Sequence, residues 1–293
     1  MSKPFLTVFT PAYNRAYTLP RTYESMKQQK NTNFIWLIVD DGSSDNTAEL
    51  VKQWQSEENG FEIRYIYKEN GGMHTAHNTA YGMIDTELNV CIDSDDALAP
   101  DAVQILFDAW QKVRDKGYAG LLGLDADFEG NVIGTGFHPN TVDTTMDGYY
   151  RAGGRGDKKI VLRTDIVREF PPYPIFEGER FVPLGSLYTM IDQKYRLAVV
   201  DEILCLVEYM PDGSTRNMLR QYYRNPLGFR YSRLVALCVP QSFKRRIILH
   251  VHYVAESILA HHPILKDSPS KLLTLTALLP GLALAIYIKS RCK

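Results

Sequence analysis

The sequence predicts an α/β fold, a mostly parallel central sheet flanked by helices, followed by a helical C-terminal extension. Three observations carry this. Short apolar runs alternate with helical segments four times between Phe5 and Val113. Several of the runs are continuously apolar, as strands covered on both faces are. Polar clusters stand just past the ends of three of them, at Tyr13-Asn14, Asp40-Asp41 and Asp93 to Asp96. Open parallel sheets bind ligands beyond the carboxyl ends of their strands, so three clusters converge on one rim.

The elements follow in order. Phe5 to Thr10 is an apolar, β-branched run stopped by Pro11, a first strand. Thr18 to Gln29 is helical, with Thr18 at the N-cap. Phe34 to Val39 is a second strand ending at Asp40, and Asp45 caps a helix running to Glu57. Ile63 to Tyr67 is the third strand. After Gly71 and Gly72 comes a helix over Thr75 to Met83, then a fourth strand from Leu88 to Ile92 and a helix from Pro100 to Val113. Beyond Leu121 the pattern weakens. Lys159 to Arg163 and Leu197 to Val200 read as strands, Leu187 to Gln193 as a helix, and Gln221 onward as mostly helical.

Composition narrows the function. A formal net charge of -1 gives no global basic field for nucleic acid. The four cysteines are far apart and none has metal-site spacing; Cys91, inside an apolar run, reads as a buried thiol. The N-terminus lacks a signal-peptide pattern, and a cytoplasmic location is expected. No GxGxxG follows the first strand, against a dinucleotide oxidoreductase. No Gly-rich loop with Arg or Lys follows it either, against a sugar nucleotidyltransferase. Leu272 to Ile288 carries no charge and is flanked by Lys266, Lys271, Lys289, Arg291 and Lys293. It is short for a membrane span and Pro280-Gly281 interrupts it. A buried helix pair, a peripheral contact with anionic lipid and a span all remain open.

The chemistry gathers in LNVCIDSDDALAP, Leu88 to Pro100, where an apolar strand delivers Asp93, Asp95 and Asp96 to one edge. Extended residues alternate faces, so Asp93 and Asp95 point the same way. Two carboxylates together repel unless a positive group lies between them, and oxygen ligands of this kind suit Mg²⁺ or Mn²⁺. The plainer reading is a surface turn in which Asp96 caps the next helix.

Four motifs, TVFTPAYNR from Thr7, LIVDDGSSDNT from Leu37, NGGMHTAHNTA from Asn70 and CIDSDD from Cys91, occur in this order. With them the first 210 residues or so resemble the family 2 glycosyltransferases, inverting enzymes with the nucleotide-sugar-binding GT-A fold. The resemblance implies a catalytic domain over residues 1–218, with a nucleotide-binding half (1–100) and an acceptor-side half (101–218), and a helical region over 219–293. It implies that Pro11, Ala12, Tyr13 and Asn14 wrap the base and ribose, that Asp41 reads the base edge, and that Asp40 shapes the loop beside it. Gly72, His77 and Asn78 would close over the ribose and diphosphate; many relatives have Arg where His77 stands. Asp93, Ser94 and Asp95 match the family's DxD segment, with Asp95 the main ligand of Mn²⁺ or Mg²⁺ and Asp93 the second. The base that activates the acceptor falls in IFEGERFVP, at Glu179 or else Glu177. Arg216 would contact phosphate from a closing loop.

The function so implied is inverting transfer of a hexose or N-acetylhexosamine from a UDP-sugar to a hydroxyl. The acceptor would be a glycan or a lipid-linked precursor of a cell-surface polysaccharide, met at the inner face of the cytoplasmic membrane. A non-catalytic nucleotide-sugar-binding protein of the same fold would show a broken acid set, whereas Asp41, Asp93 and Asp95 are all present.

Overall fold

The structure, a computed structural model, describes residues 3–208 and 217–292. The chain divides into two compact units. The first is Met1–Gly71, Ala76–Pro171 and Lys194–Tyr209; the second is Gly72–Thr75, Pro172–Gln193 and Met210–Lys293.

The first unit opens with β1 (Leu6–Ala12), α1 (Leu19–Lys27), β2 (Phe34–Asp40), α2 (Thr47–Gln55) and β3 (Glu62–Tyr67). It continues with α3 (Met73–Met83), whose first turn is counted with the second unit, β4 (Leu88–Cys91), β5 (Ala97–Leu98) and α4 (Ala102–Val113). Then come β6 (Gly120–Ala126), β7 (Asp143–Thr144), α5 (Met146–Arg151), β8 (Lys158–Arg163) and α6 (Thr164–Val167); β9 (Leu197–Leu206) completes it. One sheet runs in the order β3-β2-β1-β4-β8-β6-β9-β5, with β7 beside β9. β3, β2, β1 and β4 are parallel, as are β6 and β9, while β8 lies antiparallel between β4 and β6.

The continuous apolar runs are explained by burial on both faces. Leu6 and Val8 of β1 and Phe34, Trp36 and Ile38 of β2 face one core, shared with Leu19, Tyr23 and Met26 of α1, Trp54 of α2 and Leu106 of α4. Phe9, Leu37 and Val39 face the other, with Ala76, Ala80 and Ile84 of α3. β6 was not legible because Gly120 and Gly123 interrupt its run, yet it is buried throughout.

Two local expectations are corrected. Asn46, not Asp45, stands at the N-cap of α2. Asp45 accepts instead from Thr47 N–H and Oγ1 and, 2.9 Å away, from Ala16 N–H, which ties this turn to the loop after β1. Asp96 caps nothing: the N-cap of α4 is Asp101, and Asp96 is buried.

The second unit contains α7 (Gly185–Ile191), α8 (Met218–Arg224), α9 (Pro226–Leu237), α10 (Phe243–Leu259), α11 (Lys271–Thr276) and α12 (Leu278–Cys292). Leu237, Leu249, Tyr253, Val254 and Ala277 form its core. Arg230 is buried there and donates to Ser257 Oγ, Tyr253 Oη and Asp267 Oδ2. The apolar run from Leu272 to Ile288 is broken at Ala277 into α11 and α12. Among the described residues no helix is long and apolar enough to cross a membrane, so the spanning reading is set aside.

Candidate active site

The rim beyond β1 and β2 is stitched by polar contacts that the sequence order alone hides. Ala12 and Asp40 are paired at the strand ends, and the Asp41 N–H donates to Ala12 O. Asn14 adopts a left-handed backbone (φ 52°), donates its N–H to Ser43 Oγ and accepts from Ser44 N–H through its side chain. Asp40 is buried and bonds the Ser43 N–H and the Tyr65 hydroxyl. It therefore shapes the turn. Asp41 is buried too and holds the loop after β3, accepting from Lys68 Nζ, the Gly71 N–H and Asn70 Nδ2. Lys68 and Asn70 were not singled out from sequence. Tyr13, by contrast, leaves its ring 47% exposed over this rim.

Beyond β4 the acids divide by burial. Asp93 and Asp95 are half-buried, whereas Asp96 is 7% exposed. A turn closes between them, with the Asp96 N–H donating to Asp93 O, and Thr22 of α1 donates to Asp96 O at 2.7 Å. Arg21 binds the backbone oxygen of Asp95 and the carboxylate of Glu208. Burial raises the Asp95 carboxyl above the usual carboxylate range, the charge of Asp93 adds to the rise, and Arg15 and Arg21 oppose it. Asp93 accepts from the Cys91 thiol at 3.6 Å, and Cys91 in turn meets His77 Nε2 at 3.7 Å. Burial, with Asp93 beside it, keeps that thiol protonated.

Behind this rim lies a charged cluster that the sequence reading missed. Lys159 of β8 stands 3.8 Å from Asp125 of β6. Asp125, Cys205, Asp96 and Asp93 hold the Lys159 ammonium charged against the cost of its burial. Burial pushes Asp96 up to about 8, with Lys159 pulling it down and the neighbouring acids raising it. The only sequence signal was a lysine opening a strand, which is uninformative until β6, β8 and β9 are known to be neighbours.

The remaining candidates are placed as follows. His77 is fully buried, edge-on to Phe9 and Tyr81. Asn78 is half-buried on the same helix, and Ser94 is buried. Gly72 lies in the second unit with a left-handed backbone (φ +93°), and a Cβ there would sit 1.8 Å from Arg180 O. Glu177 is exposed. Glu179 is half-buried, and its two oxygens accept the N–H groups of Leu227 and Gly228, each at 2.8 Å, at the start of α9. Burial raises its carboxyl and the two backbone bonds oppose the rise. Arg216 lies outside the described residues.

Among the described residues no group of three or more His, Cys, Asp or Glu side chains is placed to hold a metal. The rim nevertheless suits a hard cation. Asp93 and Asp95 are oxygen donors, and burial together with the charge of Asp93 disfavours ionisation of Asp95, a penalty a cation would relieve. Mg²⁺ and Mn²⁺ commonly take one or two carboxylates and complete the shell with water and other oxygens.

The family described as glycosyl transferase family 2 matches residues 7–130, which contain the stitched loops and the acid rim. A chondroitin synthase of Escherichia coli is 32% identical over 135 residues, 46% of this chain and 19% of that protein. The chain thus spans about a fifth of the length of that curated relative. Among solved structures, S. aureus TarS residues 1–349 in complex with UDP-GlcNAc superpose with a TM-score of 0.64 at 14% identity, covering 97% of this chain and 83% of that one. The mannosyltransferase PcManGT from Pyrobaculum calidifontis, in complex with GDP-Man and Mn²⁺, gives 0.57 at 17% identity, covering 99% and 84%. The family match and the mixed GT-A sheet agree on a family 2 glycosyltransferase domain over residues 7–130.

Proposed function

We propose that the protein transfers a hexose or N-acetylhexosamine from a UDP-sugar, with inversion, to a hydroxyl of a glycan or lipid-linked acceptor in cell-surface polysaccharide synthesis. The observation that carries the reading is the pair of half-buried carboxylates Asp93 and Asp95 just beyond β4, inside the stretch that matches the family. The UDP-GlcNAc complex of the TarS fold neighbour supports a uridine donor.

In this reading Tyr13, exposed at the rim, presents its ring to the base, and Asp41 accepts from the base edge. Asp95, with Asp93, would hold Mn²⁺ or Mg²⁺ on the diphosphate. Such a cation, when bound, neutralises the charge that develops on the leaving diphosphate. Arg21 holds the Asp95 backbone oxygen. Asn78 would serve the ribose and diphosphate, with Gly72 shaping the turn before it, and buried His77 would act only through Cys91 on Asp93. Glu179 takes the proton of the acceptor hydroxyl as its oxygen attacks the anomeric carbon on the face opposite the diphosphate. Its raised carboxyl brings it closer to neutrality, as a general base requires, and each oxygen keeps a second lone pair beyond its backbone bond.

The test is binding and turnover of a panel of UDP- and GDP-sugars with Mn²⁺ or Mg²⁺, comparing wild type with Asp95→Asn. One UDP-sugar should bind and turn over only with the cation. The variant should lose about 10²-fold or more in rate, corresponding to several kcal/mol of lost charge stabilisation. Donor binding indifferent to both cation and Asp95 would sink the assignment, and a GDP-sugar preference would correct the base.

A further inference from the structure

The helical part of the second unit hides a charge imbalance behind the near-neutral total. Residues 217–292 hold eleven Lys and Arg against two acids, Glu256 and Asp267, an excess of nine positive charges in a chain of formal net charge -1. Both acids are engaged internally, Glu256 with Arg233 and Asp267 with Arg230.

From Leu278 to Ile288, α12 is apolar on all sides but packed on one. Ala277, just before it, and Gly281, Ala285 and Ile288 are buried against the unit. A Cβ on Gly281 would come within 2.5 Å of Val254 Cγ1, so the helix lies close on α10. The opposite side carries Leu279 (79% exposed), Leu282 and Ile286 (60%), which share one side at the helical period of 3.6. Leu272 and Leu275 of α11 are exposed ahead of them. Helices that are hydrophobic all round are ordinarily buried, and contiguous exposed apolar surface marks an interaction site. Exposed cations stand at both ends, Lys271 before the run and Lys289 and Arg291 after it, with Tyr287 beside them.

We propose that this face seats the protein on an anionic lipid surface. Leu272, Leu275, Leu279, Leu282 and Ile286 enter the headgroup layer, and Lys271, Lys289 and Arg291 meet lipid phosphates. Charge selects this occupant: a second copy would oppose one strongly basic unit with another, whereas an anionic bilayer supplies both the apolar layer and the missing negative charge. The inference rests on α10 to α12 alone and stands whatever the donor proves to be.

The test is cosedimentation of the full chain with phosphatidylcholine vesicles and with vesicles that also contain phosphatidylglycerol. The protein should pellet with the second only, and less so as salt screens the attraction. Lys289→Gln and Arg291→Gln should each weaken partitioning roughly fivefold. Leu279→Ser combined with Ile286→Ser should abolish it while leaving the melting temperature and transfer to a soluble acceptor unchanged. Absence of binding, or binding indifferent to lipid charge or to the double variant, overturns the proposal. So does a wild-type dimer in sedimentation velocity that the double variant dissociates, which would make the face a contact between copies.

Discussion

Both carboxylate oxygens of Glu179 accept backbone N–H groups at the start of α9, which gives this residue a structural duty besides the one proposed for it. The two duties separate experimentally. Glu179→Gln keeps one acceptor oxygen for α9 but cannot take a proton. It should lower turnover by about 10²- to 10⁴-fold with donor affinity retained, read as kcat against the donor dissociation constant. Glu177→Gln, at an exposed position, should change neither. A parallel loss of folded protein and activity in Glu179→Gln, rescued by Glu179→Asp in stability alone, would assign the residue to the helix start only. Asp93 illustrates the same layering: it reaches His77 through a thiol, so a histidine that the sequence offers as a ligand contact is buried two steps behind the carboxylate.

At the level of elements, the site depends on turns whose conformation few residues can adopt. Gly72 is the clearest case, with its positive φ and the Arg180 carbonyl where a Cβ would stand. Gly72→Ala should therefore destabilise the fold by about 2–4 kcal/mol, combining backbone strain with a clash against backbone that cannot step aside. Chemical denaturation measures it, and a loss below about 1 kcal/mol would mean that the segment shifts easily. The loops after β1 and β2 are fixed differently, through Asn14 to Ser43 and Ser44 and through Asp45 to Ala16. Side chains replace strand pairing where the backbone turns away from the sheet.

At the level of the whole molecule, buried titratable groups in the second unit link stability to pH. Burial raises Glu256 from 4.5 to about 7, against the pull of Arg233 beside it. Burial, with Arg233 adding, lowers His252 from 6.5 to about 4; the two side chains are 3.9 Å apart. The folded protein holds the Glu256 proton more tightly than the unfolded chain does between about 4.5 and 7, so this group's contribution falls as pH rises through that window. His252 works oppositely: folding disfavours its protonation, so its contribution rises with pH between about 4 and 6.5. The slopes oppose each other in wild type. Glu256→Gln leaves only the histidine, and its stability relative to wild type should improve as pH climbs from about 4.5 to 7. Urea denaturation at a series of pH values checks this, and a difference independent of pH would show that Glu256 is ionised throughout.

The sequence by itself determined the first four strands of the sheet, β1 to β4, and the acid rim beyond them. The reason is local: continuous apolar runs of strand length specify buried strands, and polar residues directly after them must lie at strand ends. Tyr13, Asn14, Asp40, Asp41, Asp93 and Asp95 were all placed on that logic. Tertiary structure decided what those residues touch. Asp41 grips a loop some thirty residues on, Asp96 turns inward toward Lys159 and Cys205, and Glu179 meets α9 nearly fifty residues later. β6 and the antiparallel β8 were beyond reach for the same reason, since glycines blur the apolar period and strand order is a property of the closed sheet. For the last helices the charge-free run from Leu272 to Ile288 was plain in the sequence. Only packing could decide that α12 turns its small residues onto α10 and leaves its leucines outside, because which side of an all-apolar helix is covered depends on the neighbour and not on its own pattern.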